Sequence, residues 1–147
     1  CTSAAYSNSF LLHKEPALLL TDYVKQDNSI LTAPLSASFR NCIFWGDNGT
    51  VEDEVYVSKR GNNPFNVLFS HNLYKAIQDP AFSTLTANIK NLDPLFDSVN
   101  TGNRYFNFRL QNNPSPAINK GIPAGISTDL DGKPRDSQPD MGSYEKN

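Results

Sequence analysis

The sequence contains only two cysteines, Cys1 and Cys42, which are too few for the disulfide framework of a small secreted scaffold. A single disulfide bridge between them is possible but not indicated by the sequence. Each cysteine is interpreted as a small buried residue of a strand. No Lys/Arg cluster is longer than Lys59-Arg60, and a net charge of −2 lacks the basic footprint that nucleic-acid binding requires. The longest apolar run, at 17–20, is far too short to span a membrane.

Charged residues are also scarce, at 19% of the 147 residues, whereas 10 prolines and 8 glycines punctuate the chain. This composition favours short strands joined by many turns and argues against a helical bundle. Alternation of apolar and polar residues predicts strands at 16–23, 38–45, 54–58, 66–70 with a continuation at 73–74, and 105–110. In the third of these, Val55 and Val57 are predicted to face inward and Glu54 outward. One helix is predicted over 79–90, with Pro80 as its first residue.

Three short segments look like copies of one strand start. They begin at Cys1, Cys42 and Asn72, and are separated by 41 (42 − 1) and 30 (72 − 42) residues. Such spacings are typical of stacked structural repeats, with loops inserted at 5–37 and 75–92.

The last third of the chain carries four islands rich in Pro, Gly and Asp. They read D-P-L-F at 93–96, S-P-A-I-N-K-G at 115–121, T-D-L-D-G-K-P-R at 128–135 and P-D-M-G-S-Y-E at 139–145. Their order resembles the C-terminal closing segment of right-handed parallel β-helix proteins of bacterial cell surfaces, of the Bacteroides type and the pectate-lyase-like superfamily. The resemblance covers about residues 38–147 well and 1–37 less clearly.

The resemblance implies an all-β, right-handed parallel β-helix of about three irregular rungs with long loops over 1–92. Residues 93–147 would form a C-terminal capping segment of the same domain, because a stack of rungs exposes core and strand edges at its ends. Its expected apolar plugs are Leu95, Phe96, Ile118, Ile122, Ile126, Met141 and Tyr144. The expected location is extracellular or on the outer-membrane surface of a bacterium, without a transmembrane segment.

No N-terminal cap is visible in the sequence. Cys1 is therefore interpreted either as the point where a longer β-helix is cut or as the lipidated first residue of a bacterial lipoprotein. We expect upstream rungs or a second copy of the chain to cover the N-terminal face.

Candidate ligand-binding residues cluster around the turn after Trp45. The indole could stack on a sugar, and Asp47, Glu52, Asp53, Glu54 and Arg60 could complete a binding face or, with calcium, an acidic substrate site. The structural alternative is a solvated acidic loop with Trp45 partly buried. Asn48-Gly49-Thr50 is formally an N-glycosylation sequence and is interpreted as a turn.

Asp129 and Asp131 resemble the start of a calcium loop, since alternate aspartates followed by Gly132 can wrap a hard cation. Lys133 occupies the third ligand position of that pattern and does not fit. The alternative is a turn of the cap in which the two carboxylates accept backbone N–H groups. His13 and His71 are interpreted as surface or ladder residues. Calcium is the only cofactor considered, and no catalytic residue is assigned.

The sequence therefore predicts a non-catalytic cell-surface or secreted domain that binds a glycan or contributes to adhesion. A glycan and a surface protein are the expected partners. The alternatives are a fragment of a polysaccharide lyase or glycoside hydrolase, and a purely structural cap of a longer β-helix. Nucleic acid is not an expected partner.

Overall fold

The computed structural model describes residues 1–8, 10–47, 50–112 and 114–146, and within these ranges the chain is all-β without a helix. No described helix is therefore long and apolar enough to cross a membrane. The strands are β1 (Thr2–Ala5), β2 (Leu18–Thr21), β3 (Tyr23–Gln26), β4 (Ser29–Thr32), β5 (Leu35–Arg40), β6 (Ile43–Gly46), β7 (Val55–Ser58), β8 (Phe65–Ser70), β9 (Leu73–Tyr74), β10 (Thr84–Thr86), β11 (Ile89–Lys90), β12 (Phe96–Asn100) and β13 (Tyr105–Leu110).

Most strands pair in parallel, in three small sheets. Their orders are β1-β6-β9-β11, β10-β8-β5 and β2-β7, while β3-β4 and β12-β13 form antiparallel pairs. In the four-stranded sheet, Thr2 pairs with Ile43 and Ile43 with Leu73, which are offsets of 41 (43 − 2) and 30 (73 − 43) residues. These offsets are the ones predicted from the repeated strand starts.

The chain bends from the three-stranded into the four-stranded sheet in the same way three times. Asn41 (φ 53°) lies between β5 and β6, His71 (φ 54°) between β8 and β9, and Ala87 (φ 48°) between β10 and β11. Left-handed backbone is costly for residues that carry a Cβ, and least so for asparagine. The sequence similarity around Cys42 and Asn72 thus reflects a recurring bend.

Asparagine side chains connect neighbouring bends. Asn72, which is fully buried, accepts a hydrogen bond from the Cys42 amide at 2.8 Å and donates to the Phe39 carbonyl at 3.1 Å. Asn88 repeats this one layer further, accepting from the Asn72 amide at 2.9 Å and donating to the Phe69 carbonyl at 3.0 Å. The side chains thus satisfy backbone groups that the bends leave unpaired.

The central strands β6 and β9 of the four-stranded sheet are buried, and their successive side chains point to opposite faces of it. One face contributes to a first core between the three parallel sheets, made of Cys42, Phe44, Val55, Val57, Val67, Phe69, Tyr74 and Ala76. The other face contributes Ile43 and Leu73 to a second core, which is completed by Phe96, Leu110, Ala117 and Met141. Val55 and Val57 face inward, as predicted.

The C-terminal segment lies against the side of this sheet. Met141 is buried beside Ile43, the Gly142 amide donates to the Asn41 carbonyl at 2.8 Å, and the Ser143 amide donates to the Thr2 hydroxyl at 3.1 Å. A Cβ on Gly142 (φ 102°) would come within 2.9 Å of Ile43. Residues of the 93–147 segment therefore cover the face of the four-stranded sheet to which β6 and β9 contribute Ile43 and Leu73. That this segment also closes an end of a β-helix stays a prediction.

The predicted apolar plugs behave differently from one another. Phe96 and Met141 are buried, and Ile118 packs against the second core. Ile126 is 68% exposed, so its assignment as a plug is wrong.

The predicted helix over 79–90 is wrong. Phe82 (φ 55°) and Ala87 (φ 48°) have left-handed backbone, and β10 and β11 pair with β8 and β9 instead. Pairing with existing strands satisfies the backbone groups of this segment, which outweighs its weak helical propensity. The predicted strand at 105–110 coincides with β13, whereas the one at 38–45 is split at Asn41. Asn48 and Gly49, part of the formal glycosylation sequence, lie outside the described residues.

Candidate functional site

A depression of about 340 Å³ opens beside Trp45, at the end of β6. It is lined by Tyr6, Trp45, Gly46, Asp47, Asp93, Leu95, Phe96, Val99 and Gln111. Three aromatic rings, two carboxylates and one carboxamide thus share one open surface. Polar groups of this kind, placed among apolar walls, are what orients a small ligand in a binding site.

Four parts of the fold bring these residues together. Tyr6 follows β1. Trp45 lies in the neighbouring strand β6, where it pairs with Ala4 of β1. Asp93 and Phe96 come from the start of the β12 region, and Gln111 directly follows β13. The antiparallel β12-β13 pair that covers the second core is therefore also one wall of the depression.

Tyr6 is held among aromatic rings and carboxylates. Its ring lies 6.3 Å from those of both Phe106 and Phe108. Burial raises the pKa of the Tyr6 phenol above its usual range, and the nearby charges of Asp93, Asp47 and Glu54 raise it further. The phenol accordingly stays neutral and keeps an O–H group that can donate a hydrogen bond.

Asp47 and Gln111 are anchored to the backbone around them. The Asp47 carboxylate accepts a hydrogen bond from the Ser7 amide. The backbone carbonyl of Asp47 accepts one from Lys75 Nζ at 2.6 Å. Gln111 Nε2 donates to the Phe96 carbonyl at 2.8 Å. These contacts hold the polar wall in place, which lowers the entropy that ordering it for a ligand would cost.

Trp45 also lines a second depression, of about 430 Å³. The other lining residues are Val51, Glu52, Lys75, Ala76, Ile77 and Asn91. Glu52, predicted as a ligand-binding residue, is exposed at this second depression, whereas Asp47 belongs to the first. The indole is thus common to two neighbouring surfaces.

Glu54 is buried and has partners within the protein. Its side chain is fully buried, and both carboxylate oxygens lie within hydrogen-bond distance of His13 Nε2, at 3.0 and 2.9 Å. Oε2 also accepts the Ala17 amide at 3.0 Å, and a Cβ on Gly46 would overlap the carboxylate. The prediction that Glu54 points outward is wrong, and of the two interpretations of His13 its buried side chain excludes the surface one. Together these side chains fill the interior next to β6.

Asp53 and Arg60 do not line either of the Trp45 depressions. The Asp53 carboxylate accepts the amides of Ile77 at 2.6 Å and Gln78 at 3.1 Å, and so fixes a turn. Arg60 lies beyond the far end of β7, where its guanidinium stacks 4.8 Å above the Tyr23 ring. Of the six residues predicted around the Trp45 turn, Trp45, Asp47 and Glu52 line the two depressions.

Asp129 organises a turn of the C-terminal segment. Its carboxylate accepts backbone amides from Asp131, Lys133 and Glu145, each at 2.8 Å. Asp131 instead pairs with Arg109, whose Nε lies 2.8 Å and whose Nη2 lies 2.5 Å from its oxygens. The oxygens proposed for calcium therefore have protein partners, and no group of three or more His, Cys, Asp or Glu in the described ranges could hold a metal ion. Calcium binding stays a prediction.

Replacing Asp129 with Asn should lower the free energy of unfolding by about 2 kcal/mol at neutral pH, the range for hydrogen bonds to a charged group. Burial alone would raise the pKa of Asp129, but the three amides outweigh it and hold the pKa below its usual value. A lowered pKa stabilises the fold above the unfolded-state pKa of about 3.9, and this contribution is lost as the pH falls through the folded-state pKa. Urea unfolding of both proteins at neutral and acidic pH measures it.

The difference between wild type and Asp129→Asn should therefore shrink in acid. Asp136→Asn, which changes an exposed aspartate of the same segment, is the matched control and should stay within about 0.5 kcal/mol of wild type. A difference that stays constant down to about pH 3 would show that the Asp129 charge does not stabilise the turn.

Sequence reasoning missed Tyr6, Asp93 and Gln111. The D-P-L-F island pointed to Asp93 and Phe96 as structural residues, but no local pattern marked Tyr6 or Gln111. Comparison with known proteins gave no match to any family model, curated protein or solved structure.

Proposed function

We propose that this chain is a non-catalytic glycan-binding domain of a bacterial cell-surface or secreted protein. The observation that carries the proposal is the depression that Tyr6 and Trp45 line together with Asp47 and Asp93, over the buried Phe96. Aromatic rings offer flat apolar faces to the C–H side of a pyranose. Carboxylate and amide groups exchange hydrogen bonds with its hydroxyls.

The charge of the depression favours a neutral sugar. Asp47 and Asp93 are its charged lining residues, and Glu54 lies buried nearby, paired with His13. Like charges repel strongly where water is partly excluded. Uronic acids and sulfated sugars should therefore bind less well than neutral hexoses, which also sets the site apart from that of a lyase acting on acidic polysaccharides.

The ligand is best described as an oligosaccharide. Trp45 lines both depressions, so sugar units on either side of the indole could contact it. The second depression adds Ile77, whose side chain is 63% exposed, and the polar groups of Glu52 and Lys75. Two adjacent subsites would give an oligosaccharide higher affinity than a monosaccharide, because the second contact is made without a second loss of translational freedom.

We propose that the three parallel sheets are faces of a right-handed β-helix, to which successive turns of the chain contribute one strand each. The in-register pairs, the repeated bend and the asparagine hydrogen bonds support this arrangement, as do the C-terminal islands. Strands β1, β2 and β5 are edges of their sheets. Exposed edges invite pairing. A preceding rung or a second copy of the chain is the proposed cover of these edges.

A glycan array probed with the wild-type chain, followed by titration of the best binder with Trp45→Ala, tests the proposal. We expect Trp45→Ala to weaken binding at least about tenfold, which corresponds to about 1.4 kcal/mol. Tyr56→Ala is the matched control, because Tyr56 is an aromatic residue, 51% exposed, on β7. Circular dichroism of both variants checks that the fold is kept.

The proposal would be wrong if no glycan on the array bound, or if both variants weakened binding equally. Neutral and acidic oligosaccharides of the same length should be included, because a preference for acidic glycans would contradict the charge argument.

A glycoside hydrolase is the second candidate, because Asp47 and Asp93 line the same depression and such enzymes use two carboxylates. Release of reducing ends from bound glycans, abolished by Asp47→Asn and by Asp93→Asn, would establish that activity. Binding without release supports the non-catalytic function.

A further inference from the structure

We infer that Cys1 and Cys42 form a disulfide bond between neighbouring strands in an oxidising environment. Cys1 directly precedes β1 and Cys42 directly precedes β6, and these strands pair in parallel from Thr2 and Ile43 onward. The Ile43 amide donates to the Cys1 carbonyl at 2.8 Å, so the pairing extends to the two cysteines. Their Sγ atoms lie 2.7 Å apart, and both thiols are free in this structure.

The backbone geometry suits a bond. Neighbouring strands lie about 4.8 Å apart. This spacing falls within the Cα separation of roughly 4.4–6.8 Å that disulfides span without moving the backbone. Because the cysteines occupy the same register position, neither strand has to shift to bring the two sulfurs together.

The two thiols differ in exposure, which suggests the order of the reaction. Cys1 is exposed and Cys42 is buried. The Cys1 thiolate would attack an exchanging disulfide, such as that of glutathione or of a thiol-disulfide oxidoreductase, and release one thiol. The Cys42 thiolate then attacks Cys1 Sγ and releases the second. Two protein thiols are oxidised to one disulfide, and the partner disulfide is reduced to two thiols.

The bond would secure an edge strand. Among the described strands, β1 pairs only with β6, and it leads through Ala5 into Tyr6 of the first depression. The C-terminal segment also docks at this place, through the Gly142 amide on Asn41 and the Ser143 amide on Thr2. A covalent link between Cys1 and Cys42 would close a loop of about forty residues and stabilise the fold by restricting the unfolded chain.

The test uses the wild-type chain incubated with glutathione disulfide, followed by intact mass, alkylation with iodoacetamide and electrophoresis without reductant. We expect a monomer that has lost two hydrogens and takes up no alkyl group until it is reduced. Its Tm should fall by about 10 °C on reduction. Cys1→Ser, which alters an exposed residue, should show no change of Tm on reduction.

Two results would overturn the inference. One is that both thiols are still alkylated after oxidation at the rate seen before it. The other is that oxidation gives dimers linked through Cys1, or a mixed disulfide with glutathione that Cys42 does not displace. Both readouts are independent of glycan binding, so the disulfide and the proposed function can fail separately.

Discussion

Replacing Glu54 with Ala should lower the free energy of unfolding by about 3–5 kcal/mol, because it removes a buried carboxylate and leaves its buried hydrogen-bond partners unsatisfied. The carboxylate is fully buried, contacts His13 Nε2 at 2.9 Å and accepts the Ala17 amide at 3.0 Å. Every fully buried side-chain N or O atom among the described residues has a hydrogen-bond partner. The variant would leave the buried imidazole and a backbone amide without theirs. Urea denaturation followed by circular dichroism measures the loss.

Two further variants serve as controls for Glu54→Ala. Glu52→Ala removes an exposed carboxylate two residues away and should change stability by no more than about 0.5 kcal/mol. Glu54→Gln keeps the shape and an acceptor for the Ala17 amide, so its cost should lie between the two. If Glu54→Ala were as mild as Glu52→Ala, the buried contact with His13 would not hold the fold together.

Replacing Phe69 with Ala should cost about 3–5 kcal/mol, as expected for deleting a large ring from a packed core. Phe69 is fully buried on β8, stacks at 5.0 Å on Phe39 and meets the edge of Phe44 at 6.3 Å. It therefore joins two of the three parallel sheets in the first core. The deletion leaves a cavity that the surrounding strands can fill only by moving. Thermal and urea unfolding both report this loss.

Phe82→Ala is the matched control, because Phe82 is 62% exposed and its ring meets that of Phe65 edge-on, with centroids 6.4 Å apart. Its substitution should leave stability within about 0.5 kcal/mol. Equal losses at the two positions would mean that the interior between the parallel sheets is not the main source of stability.

The strands that sequence reasoning located correctly are those whose pattern is local. The alternation of apolar and polar residues predicted a strand at 105–110, which is β13, and predicted that Val55 and Val57 face inward. The repeated strand starts predicted the offsets of 41 and 30 residues by which β1, β6 and β9 pair. These signals are readable because period-two alternation and turn residues are properties of neighbouring positions.

The predictions were wrong where a residue distant in sequence changes the burial or the hydrogen-bond partners of a residue. Glu54 looked like an exposed acid until His13, 41 residues away (54 − 13), supplied a buried partner. Residues 79–90 have a mild helical pattern, but β8 and β9 offered them open strand edges. Local helix and strand propensities do not include hydrogen bonds between segments that are distant in sequence. The pairing of these residues could therefore not be predicted from the sequence.

Only part of the candidate site was predicted, because the rest of it comes from segments that are distant in sequence. Trp45 and Asp47 were identified because an aromatic residue and an acid share one turn. Tyr6, Asp93 and Gln111 join them only through the pairing of β1 with β6 and the docking of the β12-β13 pair.

The sequence by itself determined that this chain is all-β, rich in turns and repetitive in its strand starts, because composition and periodicity act over a few neighbouring residues. Only the tertiary structure decided which acids are buried, where the C-terminal segment lies, and which residues surround Trp45. Those outcomes depend on burial and charge pairing between segments 40 to 100 residues apart, which become neighbours only when the sheets assemble.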